Sequence, residues 1–171
     1  MAYADYEYYT GTYYGDVLTE ANAAKWLSRA SDELDTLTFG RLTFAMPTVD
    51  AHVQRVKKAV CAMAEALYHI DEQEQAASAQ KQADGSYRGA VGSVTSGKES
   101  ISYRADSSAA LSYAAAAASP AARLNLLRET AARYIAGIPD AEGVNLLYAG
   151  IPTPRRRGAP AAEEDWSATG L

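Results

Sequence analysis

Val49, Val53, Val56, Val60, Met63, Leu67 and Ile70 follow one another in alternating steps of four and three, without a break. That period lines up on one face of an α-helix, whereas a strand would need steps of two. The stretch from residue 49 to 70 therefore has to be a long helix with an apolar stripe, and the stripe has to find something to pack on. Lys57, Lys58, Glu65 and Glu72 occupy the other faces, and Thr48 is placed to cap the helix start. About three heptads are present before the pattern fades into EQEQAASAQKQAD. A helix docked in a small bundle or ring fits this length better than a free-standing coiled coil.

Two further helices can share that core. Thr19 reads as an N-cap with Glu20 in the first turn, and Ala23, Trp26, Leu27, Ala30, Leu34 and Leu37 recur at helical spacing up to Gly40. Gly40–Pro47 reads as a connection. Pro120 suits the first turn of a later helix in which Leu124, Leu127, Ala131, Tyr134 and Ile135 share a face, ended by Gly137 and Pro139. The expected core is Val53, Val56, Val60, Met63 and Leu67 with Trp26, Leu27, Leu34, Leu127 and Ile135.

Between these helices the period changes. Ile101 and Tyr103 alternate with Ser100, Ser102 and Arg104, and Val91 and Val94 precede the Ser96–Gly97–Lys98 turn. This predicts a β-hairpin at about residues 86–104. An isolated hairpin is marginal in water, so it is expected to pair with or pack on something else, and Val94, Lys98, Glu99, Ile101 and Tyr103 are its candidate residues for a subunit interface. Ala105–Ser119 reads as a weak helix or a linker with little to bury except Leu111 and Tyr113, and Val144–Tyr148 closes the folded part.

Both ends carry interface chemistry. Tyr3, Tyr6, Tyr8, Tyr9, Tyr13 and Tyr14 crowd the first fourteen residues, each with a large ring and a hydroxyl that needs a polar partner. Such an arm, residues 1–18, can pack on its own domain or on a neighbour. After the helical domain at 19–151, residues 152–171 form a Pro-rich extended tail with Arg155, Arg156, Arg157 and then Trp166. The fold class expected is mainly α: a small helical bundle with one β-hairpin and an extended C-terminal tail.

Several functions lose their footing. The formal net charge of −5 disfavours broad non-specific binding to nucleic acid, which needs many cations to displace phosphate counterions. Cys61 is the one cysteine, which excludes an internal disulfide and a multi-cysteine zinc site; its apolar helical setting predicts a buried thiol. The opening residues lack a basic start and an apolar run, and no stretch has the roughly 18 apolar residues of a membrane span. A soluble protein made in a cytoplasm is expected, with no membrane partner.

Gly92–Lys98 matches the first seven positions of a phosphate-binding loop. Glu99 stands where Ser or Thr would hold magnesium, and a strand-like segment follows instead of a helix. A hairpin turn using Gly97 explains these residues better. His52 and His69 lie roughly five turns apart on one helix, too far to share a metal. No nucleophile, base and orienting group assemble, so neither an enzyme nor a bound cofactor is expected.

The ordered set YADYEYYTGTYYGDVLT, LDTLTFGR, the long second helix, VTSGKESISY and LLYAGI resembles the head–tail connector (adaptor, or head-completion) family of long-tailed double-stranded DNA phages. The resemblance spans about residues 3–151; the Ala/Ser segment and the RRR-bearing tail are less typical of that family. It implies a virion protein made in the bacterial host and sited at the neck. There it would form a homo-oligomeric ring matched to the portal's twelve-fold symmetry. DNA would pass through the lumen without sequence-specific binding, and the lower face would meet a stopper or tail-terminator protein. Arg155, Arg156, Arg157 and Trp166 would then contact the portal or a neighbour. Other readings are a different neck, tail-completion or capsid accessory protein, and a helical DNA-binding regulator, which the acidic balance disfavours.

Overall fold

The computed structural model describes residues 2–77 and 108–149, and between them the backbone of four short strands. Helices dominate. Their order is α1 (Tyr6–Gly11), α2 (Glu20–Leu37), α3 (Arg41–Phe44), α4 (Asp50–Ala77), α5 (Ser108–Ala118) and α6 (Pro120–Ile135). The strand backbones pair antiparallel in twos, β1 (Gln80–Lys81) with β2 (Tyr87–Arg88) and β3 (Ser93–Ser96) with β4 (Glu99–Ser102).

Helix α4 is the axis of the bundle, with α2, α5 and α6 packed around it. Val56, Val60, Met63, Leu67 and Ile70 are all buried, as the four-three period requires. Burial extends beyond that stripe, because Ala59, Cys61, Ala64 and Ala66 are buried too. These short side chains let further helices approach the other sides of α4. From α2 come Ala23, Trp26, Leu27, Ala30 and Leu34, and from α6 Leu127, Ala131 and Ile135. Each large aliphatic side chain so buried contributes roughly 1.5–3 kcal/mol.

The ends of the stripe depart from expectation. Val49 is 51 % exposed and Val53 is only half-buried. The Val49 carbonyl accepts from the His52 and Val53 N–H groups, so Val49, not Thr48, holds the cap position, ahead of the packed turns. Leu124 of α6, which shares the helical period, and Leu111 of α5, expected to be buried, are exposed too. Each lies in the N-terminal part of its helix. In α5 it is Ala116 that is buried, while Tyr113 is half-buried; Ala105–Ser119 thus holds a packed helix and not a linker.

Local signals explain several boundaries. Asn22 Oδ1 accepts from the Thr19 N–H at 2.9 Å, which satisfies one of the orphan donors at the start of α2. Pro120 opens α6. The chain leaves α2 through two consecutive residues of positive φ, Phe39 (φ 55) and Gly40 (φ 72). The segment Gly40–Pro47, expected as a plain connection, contains the single turn α3.

The tyrosine opening packs into this same body. Tyr9 is fully buried, and Tyr3, Tyr6, Tyr8 and Tyr13 lie partly buried against the core. Tyr14 alone among the six stays 81 % exposed.

Candidate functional site

Two polar constructions sit within the helical body. The first gathers the tyrosine opening around one carboxylate of α4. The Tyr9 hydroxyl donates to Glu65 Oε1 at 2.8 Å and accepts from the Val17 and Leu18 N–H groups at 3.0 and 3.1 Å. The Tyr13 hydroxyl donates to the other oxygen, Oε2, at 3.2 Å. Glu65 thus ties residues 9–18 to the middle of the longest helix. Gly15 makes this possible: a Cβ there would lie 2.1 Å from Tyr9 Cζ. The Tyr9 ring passes where any other residue would place its side chain.

Burial pushes the Tyr9 phenol up to about 12, reinforced by Glu65 and opposed by the Leu18 and Val17 amides. Burial, then the Glu65 charge, raises Tyr13 as well. Cys61 is buried as expected, and burial followed by the charge of Glu65 pushes its thiol up to about 12. A thiol held protonated in this way is a poor nucleophile and a poor metal ligand.

Beside this network lies a recess of about 210 Å³, lined by Tyr13, Glu65, His69, Tyr113, Arg133 and Tyr134 among others. His69 Nδ1 is 3.1 Å from Glu72 Oε2, and its ring centroid is 5.0 Å from that of Tyr113. The recess combines a carboxylate, a guanidinium and phenols. His69 joins α4 to α5 through a ring contact and shares no metal arrangement with His52: among the described residues no three His, Cys, Asp or Glu side chains come together to hold an ion. Among the same residues no helix is long and apolar enough to cross a membrane.

The second construction is a clamp. Arg41, the first residue of α3, places Nη1 3.4 Å from Asp140 Oδ2 and donates from Nε to the Tyr148 carbonyl at 3.2 Å. Asp140 Oδ1 accepts from the Glu142 and Val144 N–H groups at 2.9 and 2.8 Å. The Ala141 N–H donates to the Ala45 carbonyl at 3.1 Å. Together with buried Leu146, these bonds hold the loop after α6 against α3. Phe39, Phe44 and Tyr148, on the two clamped segments, are 58 %, 90 % and 56 % exposed.

Of the residues expected at a subunit interface, Val94, Glu99 and Ile101 are described by their backbone alone. Val94 pairs with Ile101, and Ser96 with Glu99, in the backbone register of β3 and β4. Lys98 and Tyr103 lie outside the described residues, as do Arg155, Arg156, Arg157, Trp166 and the Gly92 and Gly97 of the phosphate-loop-like run. Glu65, Arg41 and Asp140 were not singled out in the sequence as organising residues. Asp140 holds amides two and four positions on, but the Glu65–Tyr9 and Arg41–Asp140 contacts join residues fifty-six and ninety-nine positions apart, beyond any short-range pattern.

No family model, curated protein or solved structure matches this chain.

Proposed function

We propose that the chain is a structural connector of a long-tailed double-stranded DNA phage, one subunit of a homo-oligomeric ring between portal and tail. The observation that carries this reading is the way its motifs meet. The tyrosine opening binds the long helix through Tyr9 and Glu65. Arg41 of LDTLTFGR binds Tyr148 of LLYAGI. The opening, the LDTLTFGR segment, the long helix and residues 146–149 of LLYAGI thereby share one helical body.

In this proposal the ring is a dodecamer matched to the portal, DNA passes through its lumen, and the far face receives a stopper or tail-terminator protein. The segment Gly85–Arg104 serves as a β-hairpin between subunits, since exposed strand edges leave donors and acceptors for a neighbour to fill. In the assembled neck the tail at 152–171 lies on the portal or an adjacent subunit, with Arg155, Arg156 and Arg157 facing acidic groups. Neither role calls for catalysis or a cofactor.

Imaging purified virions with the chain labelled tests the proposal directly: the label belongs at the neck, and its absence from particles refutes the reading. Deleting the hairpin segment is expected to leave a helical monomer that no longer assembles. Complete necks built from the deleted chain would remove the hairpin from the interface.

A further inference from the structure

Seven large apolar side chains are well exposed among the described residues, and four of them fall on two adjoining segments. Phe39 and Phe44 flank α3, and Val49 stands at the start of α4. Tyr148 is on the loop clamped to α3 through its carbonyl. Phe44 reaches back over the turn, its Cε2 3.7 Å from the point where a Cβ on Gly40 would lie. Concentrated exposed apolar surface of this kind marks a contact region. The turn that presents it holds a bulky aromatic residue, Phe39, at φ 55, a conformation that costs energy and persists where its surroundings enforce it. Asp50 and Glu142, both exposed, border these segments.

The occupant is indicated by where the helical body ends. Ala149 follows Tyr148 directly, so residues 150–171 depart from the patch itself. They carry what such a patch would take: three consecutive arginines to face the acidic border, and Trp166 as a large apolar anchor. Arg155 lies six positions beyond Ala149, a reach of up to about 20 Å. Trp166 lies further on, with chain to spare for folding back.

From this juxtaposition we infer that, in the free chain, its own C-terminal segment 150–171 covers the Phe39–Phe44–Tyr148 patch, with Trp166 on the aromatic side chains. The inference concerns the free chain and stands or falls separately from the connector proposal.

Fluorescence quenching on the full chain tests it. The chain has two tryptophans, and Trp26 is buried, so a soluble quencher such as acrylamide reports chiefly on Trp166. Trp166→Phe supplies the Trp26 background. Phe44→Ala combined with Tyr148→Ala trims exposed rings and keeps the Tyr148 carbonyl that Arg41 binds. The expected result is a Trp166 shielded in the parent chain and quenched severalfold more readily in the double variant, at every protein concentration. Equal quenching in the two chains overturns the inference. Shielding that disappears on dilution also overturns it, and gives the patch to the tail of another copy.

Discussion

Arg41 and Asp140 are 99 positions apart and meet across 3.4 Å, with 10 % and 1 % of their side chains exposed. The pair fixes the last described loop to the single turn α3, and Asp140 also holds that loop's own amides. Removing the cation leaves a buried carboxylate with backbone partners only. Arg41→Ala is therefore expected to destabilise the fold by about 2–4 kcal/mol, near the low side for a broken buried pair because those amides remain. Asp140→Ala should cost no less, since it frees the Glu142 and Val144 amides as well. Urea denaturation of both variants checks this; wild-type midpoints would show that the clamp is ornamental.

Gly15→Ala probes the passage of the Tyr9 ring. The added methyl would stand 2.1 Å from Tyr9 Cζ, and the ring cannot yield without losing its bonds to Glu65, Val17 and Leu18. A loss of roughly 1–3 kcal/mol, the usual range for overpacking, is expected in thermal melts. Gly11→Ala is the control, as nothing lies within 4 Å of its Cβ position.

Alkaline pH should loosen the same region. Tyr9 and Cys61 are held up to about 12, from ordinary values of 10 and 9. A group whose folded value is raised contributes stability that is complete below its unfolded value and lost as pH rises to the folded one. The loss therefore starts near pH 9 with Cys61, is joined near pH 10 by Tyr9, and runs on towards 12. Stability measured across that window should fall less steeply in Tyr9→Phe. That variant should also be less stable at neutral pH by about 1–3 kcal/mol, from the unsatisfied partners it leaves. An identical slope in both chains would mean that Tyr9 does not drive the effect.

Phe39→Asn should raise the melting temperature. Asn tolerates positive φ far better than a bulky residue, and relief of the left-handed penalty is worth about 1 kcal/mol. The Phe39 ring is 58 % exposed, so little packing is lost. If Phe39 serves contact with another molecule, this stabilised variant should associate less well. A lower melting temperature would show that the ring is held by contacts stronger than the strain.

Val60 and Val49 belong to one sequence stripe and have opposite fates. Val60 is fully buried and Val49 is 51 % exposed. Val60→Asp places an unpaired carboxylate in the core, a cost comparable to the whole 5–15 kcal/mol of a typical domain. Its cooperative melt should vanish, whereas Val49→Asp, which puts a capping carboxylate at the exposed start of α4, should leave stability unchanged or raise it by up to about 1 kcal/mol.

The sequence by itself determined the three long helices α2, α4 and α6 and most of the core. Side-chain period is a local property, so Val56, Val60, Met63, Leu67, Trp26, Leu34, Leu127 and Ile135 could be assigned to buried faces before any fold was known. Proline at the start of α6 and Thr19 before α2 likewise act within a few residues of themselves. Where the stripes stop being buried was decided by tertiary structure. Val49 and Leu124 satisfy the period and stay exposed, because burial also needs a partner helix opposite. Tyr9 and Tyr13, suited equally to self or neighbour, are held on their own chain by Glu65, fifty-six and fifty-two residues beyond them. The clamp of Arg41 on Asp140 depends on the return of the chain after α6, and no nearby residue announces it. Local patterning sets which face of an element is apolar; only the packing of distant elements sets which polar groups that face brings together.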